Sequence, residues 1–210
     1  MIPNKRSSNI EKKRRDFLIV VGKSGSGKTH HVWERLKKVK RAIIIDPVGG
    51  EYDANYFDDG AELISYIKDK KVFRVAVTDE RYLPALCHAS MAIPGTTLVI
   101  DEAQRVIPPF EELSPEFENV IYRGRHTQTS AYIIAQRAST IHIAMRSQWT
   151  QISAFWQTEP ADISWLKKAT GEELEGIDKF RIGDHWKITQ SGAERVTGIE
   201  KTIGLDTIQK

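Results

Sequence analysis

Apolar residues in this chain come in short, nearly unbroken runs, and between the runs lie stretches whose apolar positions recur three and four apart. The runs at 17–21 (FLIVV), 42–46 (AIIID), 73–77 (FRVAV), 97–101 (TLVID), 131–135 (AYIIA) and 151–156 (QISAFW) have strand length and β-rich composition. The stretches from 28 to about 40, around 62–68, near 83–92 and around 114–125 read as helices. In the first helix Val32, Trp33, Leu36 and Val39 share a face, with Lys37, Lys38 and Lys40 elsewhere, so it packs on one side only. Strands that are apolar throughout, separated by helices, imply a mostly parallel sheet covered on both faces, an α/β three-layer sandwich. Past residue 180, turn signals at Gly183-Asp184 and Ser191-Gly192 predict a hairpin, a small antiparallel edge near the C-terminus.

A chain of 210 residues suits one domain of this kind, read here as residues 16–210 behind a basic N-terminal tail, 1–15. With 40% hydrophobic and 28% charged residues the composition is that of a globular protein, and no apolar run approaches the roughly 20 residues that span a bilayer. Nothing at the N-terminus resembles a secretory signal, and one cysteine, Cys87, forms no internal disulfide, so a cytoplasmic setting is expected. The net charge of +3 is concentrated in the tail, where six Lys and Arg residues face the single acid Glu11. The body is therefore mildly acidic, and a nucleic acid would be held by a local patch, by the tail, or by several copies together.

Residues 22–29 read GKSGSGKT and fall between the first strand and the first helix, the context in which G-x-x-x-x-G-K-[ST] cradles phosphate. Gly22, Gly25 and Gly27 let backbone N–H groups turn inward, Lys23, Ser24 and Ser26 complete the loop, and the helix start at Lys28, Thr29 and His30 adds unpaired N–H groups. Lys28 would reach the β- and γ-phosphates of ATP, and the Thr29 hydroxyl would bind Mg²⁺.

The run at 97–101 ends in Asp101 and is followed by Glu102. Acids at the carboxyl end of such a strand lie beside the phosphate crevice, where Asp101 suits Mg²⁺ through a bound water and Glu102 suits a general base for attacking water. Gln136, at the tip of the 131–135 strand, could orient that water or sense the γ-phosphate. Arg123 and Arg125, near the end of the preceding helix, are candidates for a cation delivered to the γ-phosphate of a neighbouring copy. His126 reads as a packing or hydrogen-bonding residue. Trp149, Trp156, Trp165 and Trp186 read as core, and no His, Cys and acid cluster has zinc spacing.

Four segments together resemble the HerA/FtsK superfamily of ring-forming DNA-translocating ATPases, especially the small genome-packaging ATPases of tailless phages and archaeal icosahedral viruses. They are GKSGSGKT, IIIDPVGGEYD at 43–53, LVIDEAQ at 98–104 and RGRHTQTSAYIIAQRAS at 123–139. The resemblance implies a RecA/FtsK-like P-loop fold and a homo-oligomeric, hexameric ring with ATP at subunit interfaces. It also implies an arginine from the next subunit, double-stranded DNA in the pore, and a capsid or portal vertex as partner. The insert Gly49-Gly50 departs from the pattern and leaves Asp46 and Glu51 without an assigned role. Three other readings remain: an assembly ATPase of filamentous phage or a HerA-like helicase, a small-molecule P-loop kinase with Arg123 and Arg125 on a lid, and a nucleotide-dependent structural protein.

Overall fold

Five consecutive apolar residues cannot offer a wet face, and Phe17–Val21 forms a strand, β1, with every side chain buried. A computed structural model describes residues 15–198, so the basic tail lies outside the described residues except for Arg15. Around β1 the strands are β2 (Arg41–Ile45), β3 (Asn55–Phe57), β4 (Phe73–Val77), β5 (Thr97–Ile100), β6 (Ser130–Ala135), β7 (Gln151–Ala154), β8 (His185–Thr189) and β9 (Gly192–Val196). They form one sheet in the order β3-β4-β2-β5-β6-β1-β7-β8-β9. Every pairing from β3 to β7 is parallel, and the β7-β8 and β8-β9 pairings are antiparallel. The antiparallel C-terminal edge is the hairpin expected from the turn residues.

The helices are α1 (Lys28–Leu36), α2 (Gly60–Ile67), α3 (Leu83–Ala92), α4 (Ala103–Val106), α5 (Pro115–Thr127) and α6 (Pro160–Thr170). The sheet splits the core in two. Phe17, Ile19 and Val21 join Leu63, Leu86, Phe117, Val120 and Leu166, from α2, α3, α5 and α6, on one face. Leu18 and Val20 join Val32 and Leu36 of α1, with Tyr52 and Phe155, on the other. The three layers are therefore unequal, with α1 the helix that covers the second face. It is shorter than the apolar spacing suggests, because after Leu36 the N–H groups of Lys38 and Val39 bond only three residues back and the chain tightens into the turn before β2.

Three elements were not expected from the sequence. β3 has three residues, none of them buried, too few for a pattern. The single turn α4 directly follows the acidic pair, and α6 carries Pro160 in its first turn and left-handed Gly171 after its end, which are legible helix signals, but its buried positions are sparse.

His31 helps seat α1. Its ring lies edge-on to Phe155 and to His185 at centroid distances of 5.4 and 4.6 Å, and its Nε2 accepts from Arg35 Nε at 3.3 Å and lies 3.1 Å from Ser153 Oγ. Burial, with His185 and Arg35 nearby, pushes the imidazole down to about 3. The folded chain refuses a proton that the unfolded imidazole accepts near pH 6.5, so His31 costs no stability above that pH and costs progressively more as pH falls toward 3. Urea unfolding of the wild type should show this acid-side loss, and His31→Gln should flatten it. Leu36→Ala, at a fully buried position, should lower stability by about 2–5 kcal/mol, whereas Val72→Ala at a residue 62% exposed should stay within about 0.5.

Candidate functional site

The sheet order sets where the chemistry can gather. β1 sits between β6 and β7, so the loop that leaves its carboxyl end is flanked by the chain following β6 and β7, with that following β5 one strand further. In that loop Gly22 donates its N–H to the Ala135 carbonyl at 3.2 Å, and a Cβ on Gly22 would lie 2.5 Å from the Cβ of Phe155. Gly27 caps α1 with φ of 101°, a left-handed conformation that only glycine adopts cheaply, and no side chain caps the helix. The first N–H groups of α1 therefore keep their capacity for an anion.

Lys28 is buried at the start of α1 and donates from Nζ to the Lys23 carbonyl at 3.0 Å, so the ammonium braces its own loop. Burial pulls it below the ordinary lysine range, and Glu102 and Asp101 push it back up. Thr29 is half-buried, while Ser24, Gly25 and His30 are exposed. Lys23 donates its N–H to the Trp156 carbonyl and holds its ammonium 4.9 Å from that indole ring centre. Ser26 is 3% exposed and its Oγ has no partner among the described residues. A buried orphan hydroxyl, a buried ammonium and a helix start without a side-chain cap together fit a bound polyphosphate.

Asp101 follows β5 and is 6% exposed. Its Oδ2 accepts from the Tyr52 hydroxyl at 2.6 Å and its Oδ1 from the Glu102 N–H at 2.8 Å. Burial raises this carboxyl above the usual range, and those two hydrogen bonds work against it. Glu102 stands at φ 47° and ψ 47°; among the described residues only Glu102 and Gln128 are non-glycine residues with positive φ. Such a conformation costs roughly 1–3 kcal/mol and persists where surrounding bonds enforce it. Here the carboxylate accepts from Gln136 Nε2 at 3.0 and 3.1 Å and also from the Gln104 amide. Lys28, Asp101, Glu102 and Gln136 thus converge on one crevice.

Arg123 and Arg125 do not reach it within the same chain. Both are exposed near the end of α5, where the Gly124 carbonyl accepts from Thr129 and the Thr127 carbonyl from Gly95, residues that precede β6 and β5. That is the opposite edge of the sheet from the phosphate loop, roughly 15 Å away along a five-residue strand. Arg15 lies there too, over the Phe17 ring at 4.9 Å, with an Nη2 that is buried and has no partner among the described residues. Burial, then the Arg125 charge, pushes Arg15 down to about 10. Arg137 is tied to the buried carboxylate of Asp162 at 3.1 Å, and His126 is exposed.

Sequence reasoning missed Tyr52, Tyr56, Asp46 and Gln104. Tyr52 and Asp46 lie in the 43–53 segment that marked the resemblance, and Gln104 in LVIDEAQ. No spacing rule links a tyrosine in one segment to an acid 49 positions along, and the contact exists only because β2 and β5 are neighbours.

No family model matches the chain, and no curated protein matches it. Solved structures do. The genome packaging NTPase B204 from Sulfolobus turreted icosahedral virus 2 superposes with a TM-score of 0.74 at 21% identity in its sulfate complex, over 89% of this chain and 98% of that one. Its AMPPCP complex gives 0.74 at 24%, over 88% and 98%. VirB4 of Thermoanaerobacter pseudethanolicus gives 0.62 at 12% identity, over 92% and 91%. The chain thus has an α/β P-loop NTPase fold, a mostly parallel sheet with an antiparallel C-terminal edge, shared with that packaging NTPase and with VirB4.

Proposed function

We propose that the chain is an ATPase subunit of a homo-oligomeric ring that moves double-stranded DNA, in the manner of a viral genome-packaging motor. The observation that carries this reading is the division of charges within one chain. A triphosphate cradle with its acids stands at one edge of the sheet, and an exposed arginine pair stands at the other. A site split in this way becomes complete when the arginine edge of one copy meets the phosphate edge of the next.

In that arrangement the loop N–H groups and Lys28 hold the β- and γ-phosphates. Thr29 and Asp101 would hold Mg²⁺, Asp101 through water, and the ion when bound neutralises charge on the phosphate oxygens. Glu102 takes a proton from water as its oxygen bonds to the γ-phosphorus, the bond to the β-phosphate oxygen breaks, and ADP leaves. Gln136, already bonded to Glu102, orients that water. Arg125 or Arg123, on different sides of the end of α5, stabilises the charge that develops across the interface. The uncompensated crowding of Arg15 and Arg125 supports this role, because two neighbouring guanidinium groups favour an incoming anion.

The packaging NTPase that shares this fold has been captured with AMPPCP and with ATP-gammaS, which supports the assignment of nucleotide here. A ring also suits the charge distribution, since each mildly acidic body needs to present only a few cations to a shared pore. The setting proposed is the host cytoplasm, at a capsid or portal vertex; among the described residues no helix is long and apolar enough to cross a membrane. The small-molecule kinase reading needs Arg123 and Arg125 to close over an acceptor beside the phosphate loop, and their position at the far edge disfavours it.

Lys28→Ala should abolish binding of a fluorescent ATP analogue. Glu102→Gln should keep binding and lower turnover by about 10²- to 10⁴-fold. Replacing Arg123 and Arg125 together with Ala should leave nucleotide affinity unchanged while reducing phosphate release by about 10³-fold or more. Wild-type turnover should rise with duplex DNA, and undiminished turnover in the double arginine variant would remove the shared site.

A further inference from the structure

The segment between β2 and β3 is organised around a carboxylate that the nucleotide chemistry leaves unused. Asp46, fully buried just after β2, accepts at Oδ1 from the Gly49 N–H at 3.1 Å. Its Oδ2 accepts from the Glu51 N–H at 3.1 Å and from the Tyr56 hydroxyl at 2.6 Å. The Tyr56 hydroxyl oxygen in turn accepts the Tyr52 N–H at 3.2 Å. Gly49 and Gly50, with φ of 83° and 79°, let the chain curl tightly enough for these bonds to close. The inserted glycines therefore shape a loop whose anchor is Asp46.

What the loop delivers is Tyr52. Its side chain is 4% exposed and packs in the core beneath α1, and its hydroxyl donates to Asp101 Oδ2 at 2.6 Å. A carboxylate offers about four lone-pair directions over two oxygens. The Tyr52 hydroxyl takes one on Oδ2 and the Glu102 N–H takes one on Oδ1, so one direction on each oxygen is left for other partners. Without the phenol, Asp101 would be a nearly buried charge with the Glu102 N–H as its remaining hydrogen-bond donor.

We propose that Tyr52 is a positioning residue, whose phenol, held by the loop built on Asp46, fixes Asp101 in the orientation that receives the water shell of nucleotide-bound Mg²⁺. This rests on the nucleotide reading of the same crevice. Asp46 and Tyr56 act one step further away, by holding the loop, and Glu51 contributes its N–H rather than its carboxylate.

The test is titration of the full-length protein with a fluorescent ATP analogue, first in EDTA and then at rising Mg²⁺, for wild type, Tyr52→Phe and Tyr56→Phe. Tyr52→Phe keeps the ring and removes only the donor. Its affinity in EDTA, set by Lys28 and the loop, should stay within about twofold of wild type, while the Mg²⁺ needed for the half-maximal effect rises about tenfold, as for loss of a buried hydrogen bond to a charged group. Tyr56→Phe, which leaves the Tyr52 hydroxyl in place, should move the Mg²⁺ midpoint less. An unchanged midpoint in Tyr52→Phe, or an equal loss with and without Mg²⁺, overturns the positioning role while wild-type binding still upholds the nucleotide site. Failure of the wild type to bind the analogue at all overturns both.

Discussion

A lysine ammonium withdrawn from water is the constraint around which this molecule is arranged. Burial makes the Lys28 charge expensive, and the chain offsets that cost with a carbonyl from its own loop and with the fields of Asp101 and Glu102. None of these groups is close to Lys28 in sequence except the carbonyl. They meet because β1 lies inside a parallel sheet, and a parallel sheet delivers the carboxyl ends of its strands to one edge. The two-sided core follows from the same requirement, since a central parallel strand has no wet face and needs helices on both sides.

Much of this was legible in the chain itself, for identifiable reasons. FLIVV and FRVAV are short, β-rich runs of strand length, and β1 and β4 occupy those residues. Leu83–Ala92 forms the helix its composition indicates. The phosphate loop was legible because its signal is local, eight consecutive residues between a strand and a helix. The features that escaped are those whose cause lies across the sheet. Nothing local in IIIDPVGGEYD announces that Tyr52 will meet Asp101, or that Asp46 will be consumed by its own loop. The placement of Arg123 and Arg125 at the opposite edge likewise depends on the direction of α5 relative to the strands, which the sequence of the helix does not state.

Arg123 and Arg125 stand exposed at the end of the sheet away from the phosphate loop, so one chain carries two unlike ends. The acids and Lys28 largely compensate each other in the crevice, whereas Arg15 and Arg125 crowd each other and the buried Arg15 Nη2 has no hydrogen-bond partner among the described residues. Under the proposed function, an arginine end and a phosphate end on one chain suit head-to-tail association, and head-to-tail association that closes makes a ring.

Mixing two inactive proteins shows whether one catalytic site is made from two copies. Lys28→Ala retains the arginine edge, and the Arg123→Ala, Arg125→Ala protein retains the phosphate edge. With a shared site, each alone hydrolyses almost no ATP and their equimolar mixture recovers turnover, because some interfaces then pair an intact loop with intact arginines. A mixture no more active than its components would contradict it.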